Sequence, residues 1–192
     1  GTFRHTNCRT CPHKAKCPFY WDLTKDARLT KLYAECEDVD GYMRDGCVFK
    51  EDIDIYDTMS AGVKYSNGVM MSYSLNASMP IEGYRIAFNG THGRLEVRDY
   101  ERQPWPEELQ SEIYLIKSFP KKRERIEMPD FKGGHSGGDD ILRDVIFKNK
   151  EVPGYLQLPG SRAGAMSCLT GIAARTSIEQ KRPVKLTELI TL

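Results

Sequence analysis

Between Ser60 and Val97 the side chains alternate with a period of two, and that pattern constrains the chain more than any other. Val69, Met71, Tyr73 and Leu75 interleave with Met70, Ser72, Ser74 and Asn76. Successive side chains of a strand point to opposite faces, so this run has one apolar and one mostly polar face. Val63 and Tyr65 close a similar run upstream. Ser66-Asn67-Gly68 separates the two, and Asn-Gly supplies the two positive-φ positions of a type I′ hairpin turn. After a break at Met79-Pro80 comes Tyr84-Arg85-Ile86-Ala87-Phe88. Asn89-Gly90-Thr91-His92-Gly93 turns the chain, and Arg94-Leu95-Glu96-Val97 leads out. The pattern predicts an antiparallel meander with one buried face.

The flanking segments read as follows. Residues 25–35 form a short helix, with Leu29, Leu32 and Tyr33 at helical spacing, ended by Glu37 to Gly41. The chain pairs briefly around Cys47-Val48-Phe49. Ile113 to Ile116 and Arg125 to Met128 are further strands. A glycine-rich loop, Gly133 to Asp140, enters a helix with Ile141, Leu142, Val145 and Ile146 as its apolar stripe. A longer helix spans 162–179, with Ser161 as N-cap and Ala165, Leu169, Ile172 and Ala173 as its buried face. Gly164 and Gly171 would let it approach the sheet closely. Pro183 stops it, and Val184-Lys185-Leu186 forms a last strand. The fold class is α+β: a large, predominantly antiparallel or mixed sheet with helices packed on one face over residues 48–192, preceded within the same domain by a Cys-rich loop and short helix over residues 1–47.

Length and charge narrow the function classes. With 192 residues the chain is long enough for one domain with a core. A net charge of +1 points away from nucleic acid as a partner. The dense basic run from Lys117 to Arg125 contains Pro120 and reads as a solvated loop. No apolar run is long enough to span a membrane, and no membrane partner is expected. The chain opens with Gly1-Thr2-Phe3, as a piece of a longer protein would.

Three stretches could carry chemistry. Cys8-x2-Cys11-x5-Cys17 packs thiols at a spacing that lets a turn point two sulfurs at one ion. Cys47 is the preferred fourth ligand and Cys36 the alternative; His13 is less favoured. Zinc would be structural in such a shell, and an iron–sulfur cluster uses the same ligands. Disulfides and free thiols are the competing readings. Second, glycines around His135-Ser136-Gly137-Gly138-Asp139-Asp140 let the backbone approach a ligand, and His135 could transfer a proton. Asp139 or Asp140 could equally cap the helix. Arg162, just after Gly160-Ser161, could reach an anion. Third, Asp52, Asp54 and Asp57 could hold a hard cation or a sugar hydroxyl, or form a solvated approach to the first strand. His92 reads as a turn residue. No G-x-G-x-x-G follows a strand, so no dinucleotide fingerprint is present.

Together these stretches resemble the C-terminal domain of the Gfo/Idh/MocA oxidoreductases, the glucose–fructose oxidoreductase and inositol dehydrogenase family. The match rests on Asn7-Cys8-Arg9-Thr10-Cys11-Pro12 through Cys17-Pro18-Phe19-Tyr20, similar to a cysteine insert of some members, with Cys47-Val48-Phe49 following. It rests also on the sheet from Asn67 to Glu96 with its Gly90-Thr91-His92-Gly93 turn, on His135-Ser136-Gly137-Gly138-Asp139 with Leu142-Arg143-Asp144, and on the closing helix from Ser161-Arg162-Ala163-Gly164 to Lys181-Arg182-Pro183-Val184. The resemblance implies a sheet with one face turned inward and the other often forming a dimer. It implies an N-terminal Rossmann domain, outside this chain, that binds NAD or NADP and oxidises or reduces a sugar or polyol. Some members instead hydrolyse glycosides with a bound nicotinamide. The family's Glu-Lys-Pro motif and Asp-x-x-x-His helix are not found here, and Asp57-Thr58 stands where some relatives have Asp-His. On this reading His135 is the catalytic candidate, and Asp139, Asp140, Tyr84, Arg85 and Arg162 are substrate-side candidates. Cys8, Cys11, Cys17 and Cys47 would hold a structural metal, and a carbohydrate-like ligand and a homo-oligomer are the expected partners. A non-catalytic binding or scaffold module is the alternative.

Overall fold

The computed structural model describes residues 3–106, 111–128, 135, 137–152 and 158–190. The chain divides into two units, residues 1–57 and 58–192.

The first unit is organised by a polar hub. An antiparallel bridge joins Asn7 to Gly46. The Cys8 N–H donates to the Asp45 carbonyl at 2.8 Å, and the Cys47 N–H to the Thr6 carbonyl at 3.1 Å. The brief pairing expected around Cys47 is therefore real, and its centre lies one residue earlier. Asp45 has a fully buried side chain, and its Oδ2 accepts the backbone N–H and the Nε–H of Arg9, both at 3.0 Å. A second guanidinium nitrogen of Arg9 pairs with Glu37. These bonds, the one to Glu37 first, hold the Arg9 pKa well above its ordinary value. Asn7, also buried, accepts the backbone N–H and hydroxyl of Thr10.

The predicted helix over 25–35 is broken into pieces. A 3-10 turn covers Leu23–Lys25, α1 covers Ala27–Leu32, a second 3-10 turn covers Ala34–Cys36, and α2 covers Glu37–Asp40. Asp26 caps α1 by accepting from the Arg28 and Leu29 N–H groups. Glu37 to Asp40 do not end a helix but form one, which stops at Gly41 with φ of 70°. Replacing Asp45 by Ala should lower the stability of this unit by about 2 kcal/mol, because the partly buried Arg9 donors lose their acceptor. Faster hydrogen exchange at the Cys8 and Cys47 amides is the measurement that checks it.

The second unit holds two antiparallel sheets where one large sheet was expected. β1 (Thr58–Lys64) pairs with β2 (Met70–Asn76). Their turn is not type I′: Gly68 has φ of 89°, but Asn67 does not have positive φ. The Gly68 N–H bonds the Tyr65 carbonyl and the Tyr65 N–H bonds the Val69 carbonyl, so Ser66-Asn67-Gly68 is a three-residue loop closed by a left-handed glycine. The Asn67 side chain accepts the Val69 N–H instead of supplying a left-handed backbone.

The second sheet runs β3 (Glu82–Gly90), β4 (Gly93–Arg102), β5 (Glu112–Lys117) and β6 (Lys122–Ile126), in that spatial order. Its register places Ile86, Val97, Ile113 and Ile126 in one row, and Phe88, Leu95 and Leu115 in the next, all on one face. Gly93 is required where it stands, since a Cβ there would lie 2.2 Å from the Ile116 carbonyl oxygen. The basic run after Lys117, read as a loop, forms β6 from Lys122 onward. Arg123 can extend there because its guanidinium lies 3.6 Å from the Tyr114 ring centre, over the strand beside it.

Helix α3 covers Gly138–Lys148 and α4 covers Ser161–Gln180. Ser161 is the first helical residue, not the cap, and Gly160 precedes it. The expected last strand is a 3-10 turn over Leu186–Glu188, because the Glu188 carboxylate folds back to the Lys185 N–H at 2.8 Å. Among the described residues neither helix packs on a sheet. Nothing lies within 4 Å of a Cβ built on Gly164 or Gly171, so their small size admits no neighbour here. Leu23 and Ala173 are the buried apolar side chains among the described residues, while Phe88, Ile86, Ile146 and Ile172 are exposed.

At the β5–β6 hairpin, hydrogen bonds from Lys122 and then Lys117 hold the Glu124 carboxyl below its ordinary pKa. Folding thus favours the ionised form. That contribution is complete above the unfolded value, about pH 4.3, and is lost as pH falls through the lower folded value. Amide protection of this hairpin should decline on acidification below about pH 4, and Glu124→Gln should remove that step.

Candidate functional site

The glycine-rich loop ahead of α3 places its side chains through backbone conformations that few residues adopt. His135 has φ of 49° and Gly137 φ of 82°. The Gly138 N–H bonds the His135 carbonyl at 3.1 Å, which closes the turn, and Gly137 occupies the position before the helix. Gly133, Gly134 and Ser136, which belong to the same predicted loop, lie outside the described residues. A left-handed histidine pays a steric cost that glycine would avoid, and what it obtains is position. His135 Nδ1 lies 2.9 Å from Asp139 Oδ1 while the imidazole stays open to solvent. An ionised carboxylate only accepts, so the proton of this contact sits on Nδ1, and in the neutral ring Nε2 holds the lone pair.

Neither aspartate caps α3 through its side chain. Asp139 is occupied by His135. Asp140 accepts from Arg143 at 2.7 Å, and the Arg143 Nε–H reaches the Asp139 carbonyl at 3.2 Å. Both carboxylates nevertheless sit in the first helical turn, where the helix dipole favours negative charge. Arg143 was not among the sequence-derived candidates. Its signal was its spacing, four and three residues after the two acids.

The remaining candidates are dispersed. Tyr84 and Arg85 are neighbours on β3 and so face opposite sides of the sheet. Tyr84 stands opposite Asp99, and partial burial first, then that carboxylate, pushes its phenol pKa up. Arg85 donates to the Tyr100 hydroxyl at 2.6 Å. Arg162 is the second residue of α4. No hydrogen bond, ion pair or ring contact among the described residues joins these three to His135. An open depression of about 620 Å³ lies at the β5–β6 turn, lined by Phe119, Lys121 and Arg123 among others, with no residue of the glycine-rich loop in its wall. Asp52 pairs with Lys50 at 3.0 Å on the surface, as a solvated approach would.

The cysteines do not converge as the spacing predicts. Cys8, Cys11, Cys17 and Cys47 are half-buried free thiols. The His13 N–H donates to Cys11 Sγ at 3.4 Å, and Cys8 and Cys47 flank the same backbone bridge. Four thiolates would suit zinc or an iron–sulfur cluster chemically. Among the described residues, however, no three His, Cys, Asp or Glu side chains gather closely enough to hold an ion. Hydrogen bonds through Asp45 tie the segment instead, and Asp45 and Asn7 carried no sequence signal of that role.

The Nδ1–H tautomer depends on Asp139. Nitrogen NMR of His135 should show Nδ1 protonated in the neutral wild-type ring. Asp139→Ala should shift the ring toward the Nε2–H form, with little change in overall fold since both groups are exposed.

Residues 29–186 match the family described as "Oxidoreductase family, C-terminal alpha/beta domain". The chain is 35% identical over 198 aligned positions to "Putative oxidoreductase YteT" of Bacillus subtilis (strain 168), an alignment covering 96% of this chain and 45% of that protein. The chain thus spans about half the length of the curated relative it matches. No solved structure matches. With its meander, its glycine-rich loop and its closing helix all inside the matched range, the chain belongs to the Gfo/Idh/MocA oxidoreductase family as a C-terminal domain.

Proposed function

We propose that this chain is the substrate-side and oligomerisation domain of an NAD- or NADP-dependent oxidoreductase acting on a sugar or polyol. The observation that carries the proposal is the His135–Asp139 pair. It sits on a loop whose glycines admit a ligand, and the carboxylate sets the imidazole so that Nε2 can take a proton. Hydride transfer from an alcohol carbon requires loss of the hydroxyl proton, and a neutral imidazole oriented in this way suits that task. Asp139 orients the base. Asp140 and Arg162 are assigned to substrate hydroxyls or neighbouring anionic groups, and Tyr84 and Arg85, on opposite faces of β3, to a pocket wall or a dimer face.

The nicotinamide cofactor would be held by a Rossmann domain of the parent protein, where it supplies the hydride acceptor; this chain provides no dinucleotide fingerprint. The open apolar face of the four-stranded sheet, with Ile86 and Phe88 exposed, supports association with a second copy, since homodimer interfaces bury such surface. In the full-length protein His135→Ala should lower kcat for polyol oxidation by about 100-fold, the usual contribution of a positioned base, while cofactor binding measured by nicotinamide fluorescence stays unchanged. Unaltered turnover would remove His135 from the chemistry. A glycoside consumed with no net change in nicotinamide would transfer the reading to a nicotinamide-dependent hydrolase.

A further inference from the structure

Cys8-Arg9-Thr10-Cys11 is a turn whose backbone is tied down at every amide. The Cys11 N–H donates to the Cys8 carbonyl at 3.2 Å and closes the turn. The Cys8 N–H donates to the Asp45 carbonyl at 2.8 Å. The Arg9 N–H donates to Asp45 Oδ2 and the Thr10 N–H to Asn7 Oδ1, both at 3.0 Å. Asn7 and Asp45, which supply these last three acceptors, are buried. A β-turn holds its first and last Cα atoms within about 7 Å, and disulfides span Cα separations of about 4.4–6.8 Å. The fold thus prepares the backbone of a C-x2-C disulfide, while both cysteines are half-buried free thiols within reach of a small reagent.

The other cysteines are placed differently. Cys8 stands opposite Asp45 and Cys47 opposite Thr6, so these two thiols are diagonal across the backbone bridge. Diagonal neighbours are about 7–8 Å apart, beyond the reach of a disulfide. Cys17 follows a separate turn, its N–H on the His13 carbonyl at 3.1 Å. Cys36 Sγ donates to the Lys31 carbonyl at 3.6 Å, within the helical segment. Among the described residues no three His, Cys, Asp or Glu side chains gather around an ion site that would claim Cys8 and Cys11 together.

We propose that Cys8 and Cys11 are a reversible redox pair, closed to a disulfide by exchange with a low-molecular-weight disulfide of the glutathione class. One cysteine thiolate attacks a sulfur of the small disulfide and expels a small thiolate. The second cysteine thiolate then attacks the protein-bound sulfur and expels the other small thiolate. One S–S bond breaks in the reagent and one forms in the chain. Two electrons pass from the cysteines to the reagent, and the two cysteine protons end on the two released thiols. Closure fits the turn that carries Arg9 between the two sulfurs, so it staples the hub without moving its ion pairs. This inference is independent of the role given to His135.

The full-length protein, equilibrated with mixtures of reduced and oxidised glutathione and then alkylated, supplies the test. Peptide mapping should show Cys8 and Cys11 joined, with Cys17, Cys36, Cys47 and Cys168 alkylated, and dithiothreitol should reopen the pair. Cys11→Ser should stop at a mixed disulfide of Cys8 with glutathione, whereas Cys17→Ser should leave the pair forming as before. In urea the equilibrium constant for closure should fall at least about tenfold, because the folded turn no longer holds the thiols together. Equal constants in folded and unfolded protein would overturn the proposal. So would oxidation that links Cys8 or Cys11 to Cys17 or Cys47, or a pair that stays reduced throughout. Zinc that protects Cys8, Cys11, Cys17 and Cys47 together from alkylation would make the segment a metal centre and overturn it as well.

Discussion

Antiparallel backbone pairing from β3 to β6 is the interaction on which the second unit depends. Short turns over residues 91–92 and 118–121 join β3 to β4 and β5 to β6, so those pairs form between neighbours in sequence at little entropic cost. Once it is in place the side chains have no freedom of face. The apolar rows through Val97 and Leu95 lie on one side and the arginines on the other. Cross-strand contacts add to the ladder where its composition would otherwise work against it, as Arg123 over Tyr114 and Lys117 with Glu124 do at the hairpin. Burial in the apolar rows is partial: Leu95, Val97, Ile113 and Leu115 are half-buried, while Ile86, Phe88 and Ile126 on the outer strands stay exposed.

The first unit solves a different problem with polar groups. A loop of this composition has no amphipathic element long enough to bury, and it is held where Arg9 reaches both Asp45 and Glu37. A buried carboxylate costs several kcal/mol in desolvation, and two Arg9 donors to one oxygen offset part of that. The other oxygen of Asp45 is buried without a hydrogen-bond partner among the described residues. The hub therefore specifies a geometry more clearly than it adds stability. Cys8 and Cys47 flank the bridge of this unit, and among the described residues no three His, Cys, Asp or Glu side chains form a ligand shell.

The candidate site shares one feature with the hub: a carboxylate sets the orientation of a second charged or polar group. Asp139 does so for His135, and Arg143 in turn secures the turn that carries Asp139 and Asp140. All of these lie within nine residues of chain, so the pair is local and needs no distant element to form it. Tyr84, Arg85 and Arg162, by contrast, are brought to that loop by no contact in this chain.

Much of this was legible in the residues because the periods involved are local. The alternation from Val69 to Asn76 and from Tyr84 to Val97 specifies strands and their faces, since the β period is two whatever surrounds it. The glycines around His135 specify a turn before a helix for an equally local reason. Turn type, cap identity and the division into two sheets were not legible, because Asn67, Ser161 and the strand edges choose among conformations of similar energy according to their neighbours. Cysteine spacing was ambiguous in the same way: it permits a metal, a disulfide or free thiols. The sequence by itself determined the strands of the meander and the facing of their side chains, and left open whether Asp139 or Asp140 would orient His135 or cap the helix. Only the tertiary structure decided that Asp45 closes the first unit and that Arg85 meets Arg98, because those contacts join residues far apart in the chain and depend on register.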